Sequence, residues 1–277
     1  MDEEFLVEFD GVELHLKIEI YVAENEHMLW PIPTIIFLLF KVLIAVYTGL
    51  FTIFAPTFVG LKYFCYLTNV SYTIVAIYFI ISAFRTVIFE VLFGASHKIQ
   101  FASDSNNHNS KNQVMKVEDQ SGAKLVMLKV SIYVEWMARH LGYCLSLIVC
   151  VSFYSLEARV DGEPGTSLFD VNSHIVINFI VFIDLFLSAT PVKLFHFIWL
   201  IILGMFYALF TYFYFNANGE TLYKSLNDRT NPSASLMYSS MIAIFGSILS
   251  TLLIYCCYLL RIFLYIKLRL AKKKIFI

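Results

Sequence analysis

The chain has 277 residues, 59% hydrophobic and 15% charged, with a formal net charge of −1 and a mean hydropathy of +0.71. Soluble domains carry about 45–50% apolar and about 25% charged residues, so an ordinary soluble fold is excluded. There is no basic soluble segment and no glycine-rich phosphate loop, so neither a nucleic-acid partner nor a cofactor is expected.

The apolar excess is gathered into runs of about 20 residues or more, the length that crosses ~30 Å of hydrocarbon. The reading is an all-α integral membrane protein, a bundle of six transmembrane helices with both termini cytosolic. An acidic segment, 1–29, comes first; lacking a cationic region before an apolar one, it does not read as a cleaved signal peptide. The six-span domain, 30–266, follows, with spans over 30–54, 63–93, 124–156, 171–188, 191–215 and 236–266. Pro31 and Pro33 suit the first helix start, and the Asn-, Ser- and Lys-rich stretch 94–123 reads as a polar loop. Residues 267–277 form a basic cytosolic tail.

Cationic residues set the orientation. Eleven (Lys17, Lys98, Lys111, Lys116, Lys124, Lys193, Lys267, Arg269, Lys272, Lys273 and Lys274) fall on one side, against four (Lys62, Arg159, Lys224 and Arg229) on the other. The positive-inside rule puts the richer side, with both ends, in the cytosol. Nothing in the sequence selects the plasma membrane over the endoplasmic reticulum, or fixes an oligomeric state. The five cysteines, Cys65, Cys144, Cys150, Cys256 and Cys257, all lie in apolar runs and make neither a disulfide framework nor a metal site. Asn69-Val-Ser71 is a sequon at the start of span two, too close to the membrane to be glycosylated.

Polar residues inside the spans carry what chemistry there is. A carboxylate at mid-bilayer costs at least about 2.5–3.5 kcal/mol, so Asp184, in the centre of span four, needs a partner. Arg139 is the nearest candidate by depth. Glu135 and Arg139, four apart on one helix face, can also neutralise each other. His174 and Asp184 are separated by ~15 Å along a helix, which excludes a triad built from that helix alone. Asp170, one turn before His174, can reach its imidazole. Lys41, Arg85 and Glu90 lie in the cytosolic half, to snorkel or pair. Thr68, near the start of span two, and His174, near the start of span four, share a leaflet and a depth. A hydroxyl beside an imidazole is the minimum for acyl transfer, because threonine is unreactive at its own pKa. Asn69, Ser173 or backbone donors would hold the oxyanion.

The combination YLTNVSYT (66–73), DVNSH (170–174) and HIVINFIVFIDLFLSATPVKLFHF (174–197) resembles the rolling stone proteins, six-span membrane proteins associated with myoblast fusion. The resemblance runs from about residue 61 to 260 and does not include the acidic N-terminus or the polar loop. Rolling stone proteins are in turn similar to the androgen-induced and androgen-dependent TFPI-regulating protein family. The resemblance implies hydrolysis of fatty acid esters of hydroxy fatty acids, by a threonine in a YLT motif and a histidine ten residues before an acidic residue. Those positions are Thr68 and His174 here. The chain departs from that family where His174 is followed by Ile175, and where SATPVKLF replaces a basic, histidine-rich patch.

Two readings of function stand. One is an intramembrane threonine-type lipid-ester hydrolase with membrane lipids as partners and substrate. The other is a non-enzymatic membrane protein of cell adhesion or fusion, with Thr68 and His174 as interhelical hydrogen-bonding residues. No inverted repeat supports a transporter.

Overall fold

The computed structural model describes residues 34–92, 122–157, 167–188, 190–223 and 231–275. The acidic segment 1–29, the Pro31/Pro33 pair and the polar loop as far as residue 121 lie outside the described residues. Six long helices follow in order: α1 (Thr34–Val59), α2 (Leu67–Leu92), α3 (Gly122–Ser152, continued by a π turn, Phe153–Glu157), α4 (Leu168–Leu187), α5 (Phe197–Asn218) and α6 (Pro232–Ile275). All six are long and apolar enough to cross a membrane, over Ile35–Phe58, Leu67–Val87, Val130–Glu157, Leu168–Leu187, Leu194–Asn218 and Pro232–Tyr265. No strand occurs among the described residues.

Local chemistry sets the helix ends. Gly60, at φ 80°, takes the chain out of α1 in a conformation that side chains with a Cβ rarely adopt. A short 3-10 helix, Leu61–Cys65, then leads into extended Tyr66 before α2 begins. Ser167 caps α4, its hydroxyl oxygen accepting from the Asp170 amide at 3.1 Å. At the other end of α4 the chain turns extended at Ser188, and Thr190, as the residue before Pro191, is kept from resuming the helix. Gly219, left-handed at φ 67°, closes α5. Pro232 opens α6 at the position where a missing N–H costs nothing, and the Asn231 carboxamide accepts from the Ala234 amide at 3.1 Å. At 44 residues, α6 is ~66 Å long, so it outruns the bilayer. The basic tail is therefore part of this helix as far as Ile275.

The helices divide into an inner and an outer set. In α3 56% of the apolar stretch is buried, against 17% in α5, and α2 and α4 resemble α3 while α1 and α6 resemble α5. The outward faces carry Leu, Ile and Phe, as lipid contact requires. Small residues bring backbones together: a Cβ on Gly204 would lie 2.6 Å from Ala243 Cβ, and one on Gly142 would lie 2.9 Å from Val75 Cγ2.

A polar core runs through this apolar bundle. Lys41 Nζ pairs with Asp184 Oδ1 at 2.5 Å and donates to Tyr78 Oη at 2.7 Å. Tyr78 donates to Asp184 Oδ2 at 2.6 Å, and Tyr143 donates to the same oxygen. The carboxylate expected to meet Arg139 thus meets Lys41, which is buried here and does not snorkel. Arg139 instead donates through Nη1 to the Thr190 carbonyl at 3.0 Å, and Glu135 pairs with Arg85. The expected Glu135–Arg139 pair is accordingly not formed. Sharing a helix face puts two side chains within reach, but Glu135 is paired with Arg85 of α2 and Arg139 is turned to the link after α4. Arg261 of α6 donates to the carbonyls of Leu185, Ser188 and Thr190, satisfying the open C-terminal end of α4.

Candidate functional site

The start of α2 is held by two tyrosines. The Leu67 amide donates to Tyr207 Oη and to Tyr223 Oη, each at 2.9 Å, while Tyr207 donates to the Cys65 carbonyl at 2.7 Å. Tyr223 lies outside the spans, and its burial pushes the phenol up to about 12, so it is neutral at physiological pH. Nearby, Lys62 and Glu220 form an exposed pair at 2.5 Å, and hydrogen bonding to Glu220 raises the lysine's pKa. Such a surface pair adds little stability.

Thr68 is the second residue of α2, so its backbone N–H is one of those that a helix leaves without an intrahelical acceptor. Its half-buried side chain faces a partly open, mainly apolar cavity of about 850 Å³, mouth included, between α2, α3, α5 and α6. Most hydroxyls lining it are already committed: Thr211, Ser239 and Ser247 donate to carbonyls one turn back, and Tyr207 donates to Cys65. Thr68 and Ser152 are the lining hydroxyls with no hydrogen-bond partner among the described residues.

His174 reaches the same end of the bundle. The starts of α2 and α4 adjoin, and Asn172 Nδ2 donates to Tyr72 Oη, one turn along from Thr68, at 3.5 Å. His174 sits in a π turn, Val171–Val176, in which Asn178 Nδ2 donates to its carbonyl at 2.6 Å. Its imidazole is 2% exposed and stacks on the Phe153 ring at 4.0 Å with 11° between the planes. Its Nδ1 is buried without a partner. No hydrogen bond joins Thr68 to His174, and Phe153, itself a wall of the cavity, is stacked on the imidazole. The two residues are brought to one end of the bundle, His174 against the Phe153 ring and Thr68 on the wall of the cavity that Phe153 also lines.

Three other expectations are corrected. Asp170 does not hold the imidazole, since its carboxylate accepts from the Ser167 hydroxyl at 2.5 Å. Asn69 Nδ2 donates to the Tyr63 carbonyl at 2.9 Å, and the Ser173 hydroxyl donates to the Phe169 carbonyl at 2.8 Å. The Ser173 hydroxyl is thereby committed and Asn69 is turned to the chain before α2; with the Leu67, Asn69 and Val70 amides also engaged, the Thr68 amide is the one left at the start of α2. The buried Asn69 also agrees with an unglycosylated sequon.

The sequence reading did not single out Ser152, Phe153, Glu157, Tyr207 or Tyr223, all of which line the cavity. Only the crowding of aromatics around Tyr207, in FYALFTYFYF, hinted at an unusual environment. Among the described residues no group of three His, Cys, Asp or Glu side chains could hold a metal ion. No family model, curated protein or solved structure matches the chain.

Proposed function

We propose that the chain is a rolling stone-like multi-pass membrane protein, both termini cytosolic, that admits a membrane lipid to the α2/α3/α5/α6 cavity and hydrolyses an ester there. Thr68 Oγ1 attacks the ester carbonyl carbon while His174 accepts its proton. The tetrahedral adduct expels the alcohol, which takes that proton, and water then cleaves the acyl-threonine with His174 again as base. The Thr68 backbone N–H, the amide at the start of α2 that makes no described hydrogen bond, stabilises the developing oxyanion, helped by the positive end of the helix dipole. For His174 to reach Thr68, Phe153 must swing aside. Catalytic contacts are often loose before substrate binds, so a gated base is compatible with this chemistry.

The supporting observation is that Thr68 presents an uncommitted hydroxyl at a helix N-terminus, on the wall of a partly open, mainly apolar cavity. The test is labelling by a fluorophosphonate probe and turnover of long-chain hydroxy-fatty-acid esters in purified protein. Thr68→Ala and His174→Ala are expected to abolish both, and Ser152→Ala to retain them. Equal labelling of Thr68→Ala and wild type overturns the reading.

One observation favours the alternative, a non-enzymatic adhesion or fusion protein: His174 is stacked on Phe153 and makes no contact with Thr68. Under that reading, both substitutions lower thermal stability in detergent and no ester turns over in any variant.

A further inference from the structure

A second cavity, narrow and with room for one water-sized occupant, lies between α3, α6 and the link from α4 to α5. Two residues of its wall, Trp136 and Arg139, stand three apart on one face of α3. Trp136 is 5% exposed and Arg139 4%. Arg139 Nη1 donates to the Thr190 carbonyl at 3.0 Å, but its Nε and Nη2 are buried without a hydrogen-bond partner, as is Trp136 Nε1. All three are N–H groups that donate and cannot accept, and a guanidinium does not deprotonate in proteins. A buried cation of this kind requires an acceptor that carries counter-charge.

Among the described residues none supplies it. No carboxylate of these residues lines the cavity. Asp184 is engaged by Lys41, Tyr78 and Tyr143, and Glu135 by Arg85. The Thr190 carbonyl is shared between Arg139 and Arg261. His140 is occupied too, its Nε2 meeting Thr251 Oγ1 at 3.4 Å and Cys144 Sγ at 3.9 Å. The size of the space then selects the ligand. Carboxylates and phosphates, with several heavy atoms each, do not fit a water-sized space. A water fits, but its oxygen accepts from two N–H groups at most and leaves the guanidinium charge uncompensated. Chloride is only slightly larger than a water, accepts from all three N–H groups, and supplies the counter-charge.

We propose that this cavity is a chloride-binding site, in which Arg139 Nε and Nη2 and Trp136 Nε1 donate to one ion. The ion neutralises the same guanidinium that fastens the link after α4 to α3 through the Thr190 carbonyl, so its binding stabilises the bundle. The site is independent of the ester chemistry assigned to Thr68. Arg139 precedes Phe153 by 14 residues, or ~21 Å along α3.

The test is thermal unfolding of the purified full chain in a neutral detergent, with sodium gluconate exchanged stepwise for sodium chloride at constant ionic strength. A parallel series exchanges gluconate for methanesulfonate, a second anion too large for the space. Saturable stabilisation by chloride is expected, and none by methanesulfonate. Arg139→Gln and, separately, Trp136→Phe should each weaken the apparent chloride affinity at least about ten-fold, the scale of one hydrogen bond to a charged group. Trp136→Phe keeps an aromatic ring and removes the N–H, and it decides the matter if Arg139→Gln does not fold. No stabilisation by chloride would mean that the space holds water only, and it overturns the proposal. An equal effect of methanesulfonate, or unchanged chloride affinity in Trp136→Phe, overturns it as well.

Discussion

Lys41 Nζ lies 2.5 Å from Asp184 Oδ1, joining α1 to α4 by an ion pair in which both side chains are almost wholly buried. Removing one partner of such a pair strands the other charge and costs about 3–5 kcal/mol, whereas replacing both by apolar side chains of similar volume is often neutral. Lys41→Met and Asp184→Leu are each expected to destabilise by that amount in a denaturant titration in detergent. The double variant is expected to lose less than either single one. Additive losses would mean that the two residues do not act as a pair.

Phe153 is stacked on His174 and lines the cavity that Thr68 faces. Phe153→Ala removes the ring stacked on the imidazole and is expected to raise fluorophosphonate labelling of Thr68 several-fold. The same substitution combined with His174→Ala should return labelling to background. If labelling in Phe153→Ala is unchanged, the ring is not a gate.

Packing of α5 on α6 depends on Gly204, where an added Cβ would lie 2.6 Å from Ala243 Cβ. Gly204→Val is expected to cost about 1–3 kcal/mol through overpacking. Gly246→Ala, on the face of α6 that meets α3, is a control, because its new Cβ would meet Ile148 at an ordinary 3.4 Å. It should be neutral within about 0.5 kcal/mol. Thermal unfolding of the two variants side by side makes the comparison.

Burial raises the phenols of Tyr63 and Tyr223, both outside the spans, to about 12. A tyrosine ordinarily ionises near pH 10, so the folded state holds these protons more tightly than the unfolded state does. Their contribution to stability is full below about pH 10 and is lost as pH rises towards about 12. Tyrosinate absorbance in Tyr223→Phe should lack one late-ionising group relative to wild type, and its stability should fall less steeply over that interval. An identical alkaline titration in the two proteins would contradict the assignment.

Which parts of this were legible beforehand follows from the range of the interactions involved. Thr190-Pro191 marked the end of α4 because proline acts on its immediate neighbours. Thr68 and His174 could be placed at one end of the bundle because span direction and depth are additive along the chain. The pairing of Asp184 could not be read in the same way. Lys41, Arg85 and Arg139 are all cations near its depth, and spacing within one helix does not measure distances between helices. Phe153 was equally hidden, since an aromatic residue in an apolar span looks like any other until its ring is seen against His174.

The sequence by itself determined the six apolar helices, their breaks and the absence of a soluble fold, because hydrocarbon thickness, proline and glycine act through length and local backbone. Only the tertiary structure decided which charges neutralise one another: Lys41 with Asp184, Arg85 with Glu135, and Arg139 with a carbonyl and an open cavity. The physical reason is that, in a low-dielectric interior, pairing energy depends on a few ångströms between side chains on different helices, and only packing fixes those distances.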